Sequence, residues 1–177
     1  MIDELIGSGL SRELIVVIMS ALPITELRGA LPIGIRLFHL PWYQALYLAI
    51  IGNMLPVPFL LLFFESLTKA VSRTDTGKKL VDLLFKWTRR HTAVVEKYGS
   101  IGLMALVAMP VPGTGAWTGT IVAFLLGLRW GRALLPIAAG LLVSGAIVTA
   151  LSLMGWLGAI IAGFGFASVA ILGLWKA

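Results

Sequence analysis

From Ile101 to Leu128, and again from Ala133 to Trp175, the chain carries no charged residue. A membrane-crossing helix needs about 20 consecutive apolar residues, so these runs hold more than one crossing. The whole chain is 59% hydrophobic and 12% charged, against about 25% charged in a soluble domain. It therefore reads as an all-α integral membrane protein. The apolar tracts have one exception, Thr25-Glu26-Leu27-Arg28-Gly29-Ala30-Leu31-Pro32, which is bracketed by Pro23 and Pro32 and loosened by Gly29. A charge at bilayer depth costs roughly 3 kcal/mol on insertion scales. Glu26 and Arg28 are thus either functional or outside the membrane.

Composition removes several functions. Without cysteine there is no disulfide, thiolate nucleophile or Cys-ligated metal. His39 and His91 are the only histidines and lie far apart, so no metal centre and no cofactor is expected. Clustered carboxylates or a Ser/His pair, which a membrane hydrolase would need, are missing: Ser144 has no base in view. The chain is read as a non-enzyme. Its net charge of +6 is taken as a topology signal and as attraction to membrane lipids, not as nucleic-acid binding.

In order, Met1 to Glu13 is a short polar lead. It lacks the basic start of a signal peptide, and the chain is read as mature from residue 1. Residues 1–177 are taken as a single membrane domain: repeat one at 14–64, an amphipathic linker at 65–99, repeat two at 101–154 and a C-terminal helix at 156–175. Trp42 to Phe64 reads as a crossing that opens on interfacial aromatics and kinks at Pro56-Val57-Pro58. In the linker, Leu80, Leu84, Trp87, His91, Val94 and Tyr98 recur at helical spacing and form an apolar stripe among basic residues.

The two halves share a plan. Ala21-Leu22-Pro23 matches Ala108-Met109-Pro110 at an offset of 87, and one added residue aligns Trp42 with Trp130, Ala45 with Ala133, Leu46 with Leu134 and Gly52 with Gly140. Each half reads as an apolar half-segment, a Pro/Gly break, a second half-segment and a long helix. If the broken segments are re-entrant hairpins, the linker, Arg129, Arg132 and Lys176 all face the cytoplasm, leaving Arg12 and Arg36 outside. The positive-inside rule favours that arrangement. A single crossing between the halves then makes them inverted repeats, as in many secondary transporters. The N-terminus is expected outside, the linker and C-terminus inside.

The hairpin breakers are Pro23, Gly29 and Pro32 in the first half and Pro110, Pro112, Gly113 and Gly115 in the second. Half-helix N-termini at such breaks favour anions, and the arginine fork of Arg28 suits phosphate or carboxylate. Glu26 is a candidate proton carrier, because burial penalises its charged form while the neighbouring cation favours it. The alternative is structural: Glu26 and Arg28 pair with each other or with the opposite tip's backbone. Asn53 either offers its amide to the cavity or makes a helix–helix hydrogen bond. Thr114, Trp117 and Thr118 are expected to line the second tip.

At Glu26-Leu27-Arg28-Gly29-Ala30-Leu31-Pro32-Ile33-Gly34, at Gly52–Pro58 and at Pro110–Gly119, the chain resembles the small multidrug export proteins. The likeness runs from about Ala21 to Leu153. It implies a prokaryotic inner-membrane protein that exports a small or amphipathic solute. The hairpin layout is also similar to the DedA superfamily of lipid-carrier transporters, which implies that Glu26 and Arg28 handle phosphate-bearing lipids. This sequence has no acid or arginine in its second hairpin, where Gly113 and Gly115 stand. The small multidrug resistance exporters use a lone glutamate, and Arg28 would repel their cationic drugs. The expected function is therefore a small transporter, with proton coupling through Glu26 and anion anchoring by Arg28. A lipid flippase and a non-transporting membrane scaffold are the alternatives. The expected partners are lipids and the solute, and a homo-oligomer is left open.

Overall fold

A computed structural model describes residues 9–111 and 114–174. Every regular element among the described residues is helical. The chain falls into two compact units. One holds the described residues of Met1–Asn53, Pro110–Pro112 and Val143–Ala177, and the other those of Met54–Met109 and Gly113–Leu142.

In the first unit, α1 (Arg12–Ala21) starts where the Ser11 hydroxyl accepts from the Leu14 N–H at 3.3 Å, with Glu13 in the favourable first turn. It buries Ile15, Val16, Met19 and Ser20, the pattern of one helical face. It stops at Leu22, which takes an extended backbone because Pro23 disfavours helix in the residue before it. After a short turn, α2 (Glu26–Pro32) packs back on α1. Pro32 has no N–H to give to the Arg28 carbonyl, and the chain continues as a π-helical turn, Ile33–Leu37, closed by Phe38 N–H on the Ile33 carbonyl at 3.0 Å. His39, at φ 55°, ends the turn, and α3 (Trp42–Met54) follows. The core of this unit gathers Ile15, Met19, Leu27, Leu31, Ala45 and Ala49.

The kink expected in the Trp42–Phe64 crossing is a full break at Leu55. Pro56 and Pro58 remove the N–H groups that the Gly52 and Met54 carbonyls would otherwise accept. Pro56 instead opens α4 (Pro56–Val71), where a missing N–H costs nothing. The second unit continues with α5 (Asp75–Ala108), N-capped by Thr74 through Gly77 N–H at 3.1 Å. Within α5, Gly99 takes φ 56° and ψ −130°, so the element is two helices joined at a glycine. The last part of α5 packs against α6 (Ala116–Leu125), and α4 packs on α6 with Phe64 and Phe124 rings 4.6 Å apart. The core here is Val57, Leu103, Val107, Val122 and Ile137. Of the linker stripe, Tyr98 is exposed, and the side chains of Leu80, Leu84, Trp87, His91 and Val94 lie outside those described.

The helix α7 (Trp130–Leu153) contains Pro136 and runs from the second unit into the first, where α8 (Trp156–Leu174) follows a turn at Gly155. In each unit a glycine stands where two helices approach closely. A Cβ on Gly52 of α3 would meet the Val17 carbonyl and, at 2.9 Å, Ser20 Cβ of α1. A Cβ on Gly140 of α7 would meet the Met104 carbonyl and Val107 Cβ of α5, both at 2.7 Å. Small residues at such crossings let backbones pack as membrane helices do.

Two stretches, Trp42–Phe64 and Trp130–Leu153, are long and apolar enough to cross a bilayer, yet only 28% and 44% of their most apolar windows is buried within the protein. A soluble core helix would be mostly buried. Tyr47, Phe59, Leu62, Leu135 and Leu142 face outward instead, a surface that lipid and not water can solvate.

Candidate functional site

Pro23 not only ends α1 but also leaves the Met19 carbonyl without its usual donor. The Thr25 hydroxyl donates to that carbonyl, and Glu26 N–H donates to the Leu22 carbonyl at 3.0 Å. The tip is thus a hydrogen-bonded turn, after which α2 opens without a side-chain cap. Glu26 pays for this turn with φ 46°, a left-handed backbone uncommon outside glycine.

That one torsion sets the site. Residues two apart do not face each other on a regular helix, but with Glu26 left-handed its Oε2 lies 3.5 Å from Arg28 Nη1. The same nitrogen donates to the Val111 carbonyl at 2.5 Å, across 83 residues of chain. Both side chains are nearly enclosed, with Arg28 15% and Glu26 10% exposed. Leu27, Ala30 and Leu31 around them are buried, and Gly145 of α7 leaves room for Leu27 and Leu46, whose Cδ1 atoms a Cβ there would meet at 3.5 and 2.7 Å. A charge pair in such apolar surroundings interacts far more strongly than in water. Chemically it offers one anionic oxygen pair and one planar cationic fork, held together on a strained turn.

The other expected site residues are distributed differently. Asn53 is 1% exposed, and neither its Oδ1 nor its Nδ2 has a hydrogen-bond partner among the described residues. The helix–helix hydrogen bond considered for it is not made. Thr114, Trp117 and Thr118 belong to the second unit. Thr114 is buried and its hydroxyl donates to the Met109 carbonyl at 2.8 Å, while Thr118 is buried and Trp117 half-buried on α6. Gly115 is buried at the N-cap of α6. Pro112 and Gly113 lie outside the described residues. Glu26, Arg28 and the Val111 carbonyl therefore form one cluster, with Asn53 elsewhere in the same unit.

Two participants were not foreseen. Ser20, fully buried with an unpartnered hydroxyl, could have been found from its place on the Val16–Met19 face of α1. The Val111 carbonyl carried no sequence signal beyond its position between two prolines.

Among known families, the model described as "Putative small multi-drug export protein" matches residues 26–147. That span begins at Glu26 and takes in the ion pair, Asn53 and the whole second break. No curated protein and no solved structure matches the chain.

Proposed function

The chain belongs to the small multi-drug export family, and from that premise we propose that it is a multi-pass transporter of the prokaryotic cytoplasmic membrane. It exports a small or amphipathic solute bearing an anionic group, with Arg28 as the anchor and Glu26 as the proton-linked carboxylate. It is not an enzyme, and its partners are the solute and the surrounding lipid. The observation that carries this reading is the buried Glu26–Arg28 pair, 3.5 Å apart on a turn where Glu26 holds φ 46°. Backbone strain of this kind costs about 1–3 kcal/mol and clusters at functional sites.

The proposal includes two inverted repeats, each a re-entrant hairpin followed by a crossing helix. Three features support it. The legs α1 and α6 are 10 residues each, about 15 Å long, roughly half of a ~30 Å hydrocarbon core. His39 at φ 55° and Gly127 at φ 62° each stand three residues before the tryptophan that opens a long helix. Gly52 and Gly140 each close on the carbonyl of a residue 35 or 36 positions earlier, Val17 or Met104. The basic linker, Arg129 and Arg132 then lie in the cytoplasm by the positive-inside rule.

A second reading has an observation of its own. The Arg28 bond to the Val111 carbonyl ties distant parts of the chain, as a pure scaffold would require. Transport by reconstituted vesicles separates the two. Anionic amphiphile flux that falls at least tenfold in Glu26→Gln and Arg28→Lys, at unchanged folding, supports the transporter. Wild-type flux in both variants supports the scaffold.

A further inference from the structure

On the two helices that cross at Gly52, three buried side-chain polar atoms have no partner among the described residues: Ser20 Oγ, Asn53 Oδ1 and Asn53 Nδ2. Ser20 is 0% and Asn53 1% exposed. Ser20 packs on α3 at the residue that precedes Asn53, since a Cβ on Gly52 would sit 2.9 Å from Ser20 Cβ. Buried polar groups are normally hydrogen-bonded, and each one left unpaired costs about 1–3 kcal/mol. Two neighbouring residues with that cost point to an occupant.

The backbone says which kind. Ser20 is next to last in α1 (Arg12–Ala21) and Asn53 next to last in α3 (Trp42–Met54). The negative ends of two helix dipoles, each worth roughly half an elementary charge, therefore meet at this crossing. Pro56 leaves the Gly52 carbonyl without a helical donor, adding a third oxygen to Ser20 Oγ and Asn53 Oδ1. All three are hard, neutral oxygens. A divalent ion would remain uncompensated among them in an apolar setting, whereas a small alkali cation needs only dipoles and carbonyls. Helix C-terminal ends and unwound carbonyls are what coordinate sodium in transporters with broken helices.

We infer that Ser20 Oγ, Asn53 Oδ1 and the Gly52 carbonyl form a binding site for a sodium-like monovalent cation. A water molecule on Asn53 Nδ2 completes the shell. The site is separate from the Glu26–Arg28 pair. Any part it plays in transport rests on the reading above, but cation binding does not.

Thermal unfolding of the detergent-purified chain tests it, in sodium chloride against choline chloride at equal ionic strength. Sodium raises the midpoint saturably, by roughly 3–6 °C at ten times its Kd. Asn53→Leu and Ser20→Ala each abolish the rise. Ser20→Ala keeps the protein folded, because it removes an unpaired hydroxyl and leaves the packing methylene. Thr149→Val, which removes another unpartnered buried hydroxyl, keeps the full sodium response. Equal midpoints in the two salts, an undiminished rise in Ser20→Ala and Asn53→Leu, or loss of the rise in Thr149→Val would each overturn the assignment. Because no flux is measured, failure here leaves the role of Glu26 and Arg28 standing, and failure of transport leaves this site standing.

Discussion

Removing Arg28 should destabilise the fold far more than removing both members of its pair. At 3.5 Å and an effective dielectric near 20, the Glu26–Arg28 attraction is about 5 kcal/mol before desolvation. Arg28→Ala deletes that attraction and the charge-assisted bond to Val111, and leaves a carboxylate that is 10% exposed without its neighbouring cation. Stranding one partner of a buried pair typically costs about 3–5 kcal/mol, whereas replacing both with neutral groups of similar size is often near neutral. The double variant Glu26→Gln/Arg28→Met should therefore recover most of the loss. The assay is a double-mutant cycle on unfolding midpoints in one detergent, with Glu26→Gln, Arg28→Met and the pair. A coupling energy of about 2 kcal/mol or more is expected, as contacting residues in one network give about 0.5–3. Additive single effects would refute the reasoning, because the two side chains would then not share a low-dielectric pair.

Three further outcomes follow from the packing and the charge distribution. Gly52→Ala and Gly140→Ala each press a methyl on a backbone carbonyl and should cost about 1–3 kcal/mol, whereas Gly163→Ala, with nothing within 4 Å, should be neutral or gain up to about 1 kcal/mol; chemical or thermal unfolding ranks them. Thr25→Val and Thr114→Val each lose a hydroxyl bond to a methionine carbonyl and should lose roughly 1 kcal/mol in the same measurement. Single cysteines at Thr76 and Arg129, in a chain with no native cysteine, should label from the cytoplasmic side, and one at Arg36 from the opposite side. Labelling of positions 76 and 129 from different sides would remove the re-entrant topology.

Much of the helical plan was legible because proline and glycine act locally. Pro23 ends α1, Trp42 begins a long helix, and Pro56 and Pro58 interrupt it, all by rules that need only neighbouring residues. The all-helical, membrane-compatible class was equally plain from the uncharged runs. What was hidden depended on distant contacts or on torsions that no local rule selects. Nothing in Thr25-Glu26-Leu27 announces a left-handed glutamate, and on a regular helix residues two apart do not face each other. The π-helical turn after Pro32 and the full break at Leu55 are stronger distortions than a proline kink implies. The burial of Ser20 depends on Gly52, which lets α3 close against it. The Arg28–Val111 bond joins residues 83 apart, a contact set by tertiary packing alone.

The central claim is that Glu26 and Arg28 carry transport and not only structure. Purified protein in sealed vesicles, loaded with an anionic amphiphile, measures this most directly when an imposed pH gradient drives efflux. Glu26→Gln should lose gradient-driven flux while still binding the solute. Arg28→Lys keeps the charge but loses the planar fork, and should raise the half-saturating solute concentration about tenfold or more. Wild-type flux in both variants, together with lowered unfolding midpoints, would contradict the account and leave the pair a structural lock.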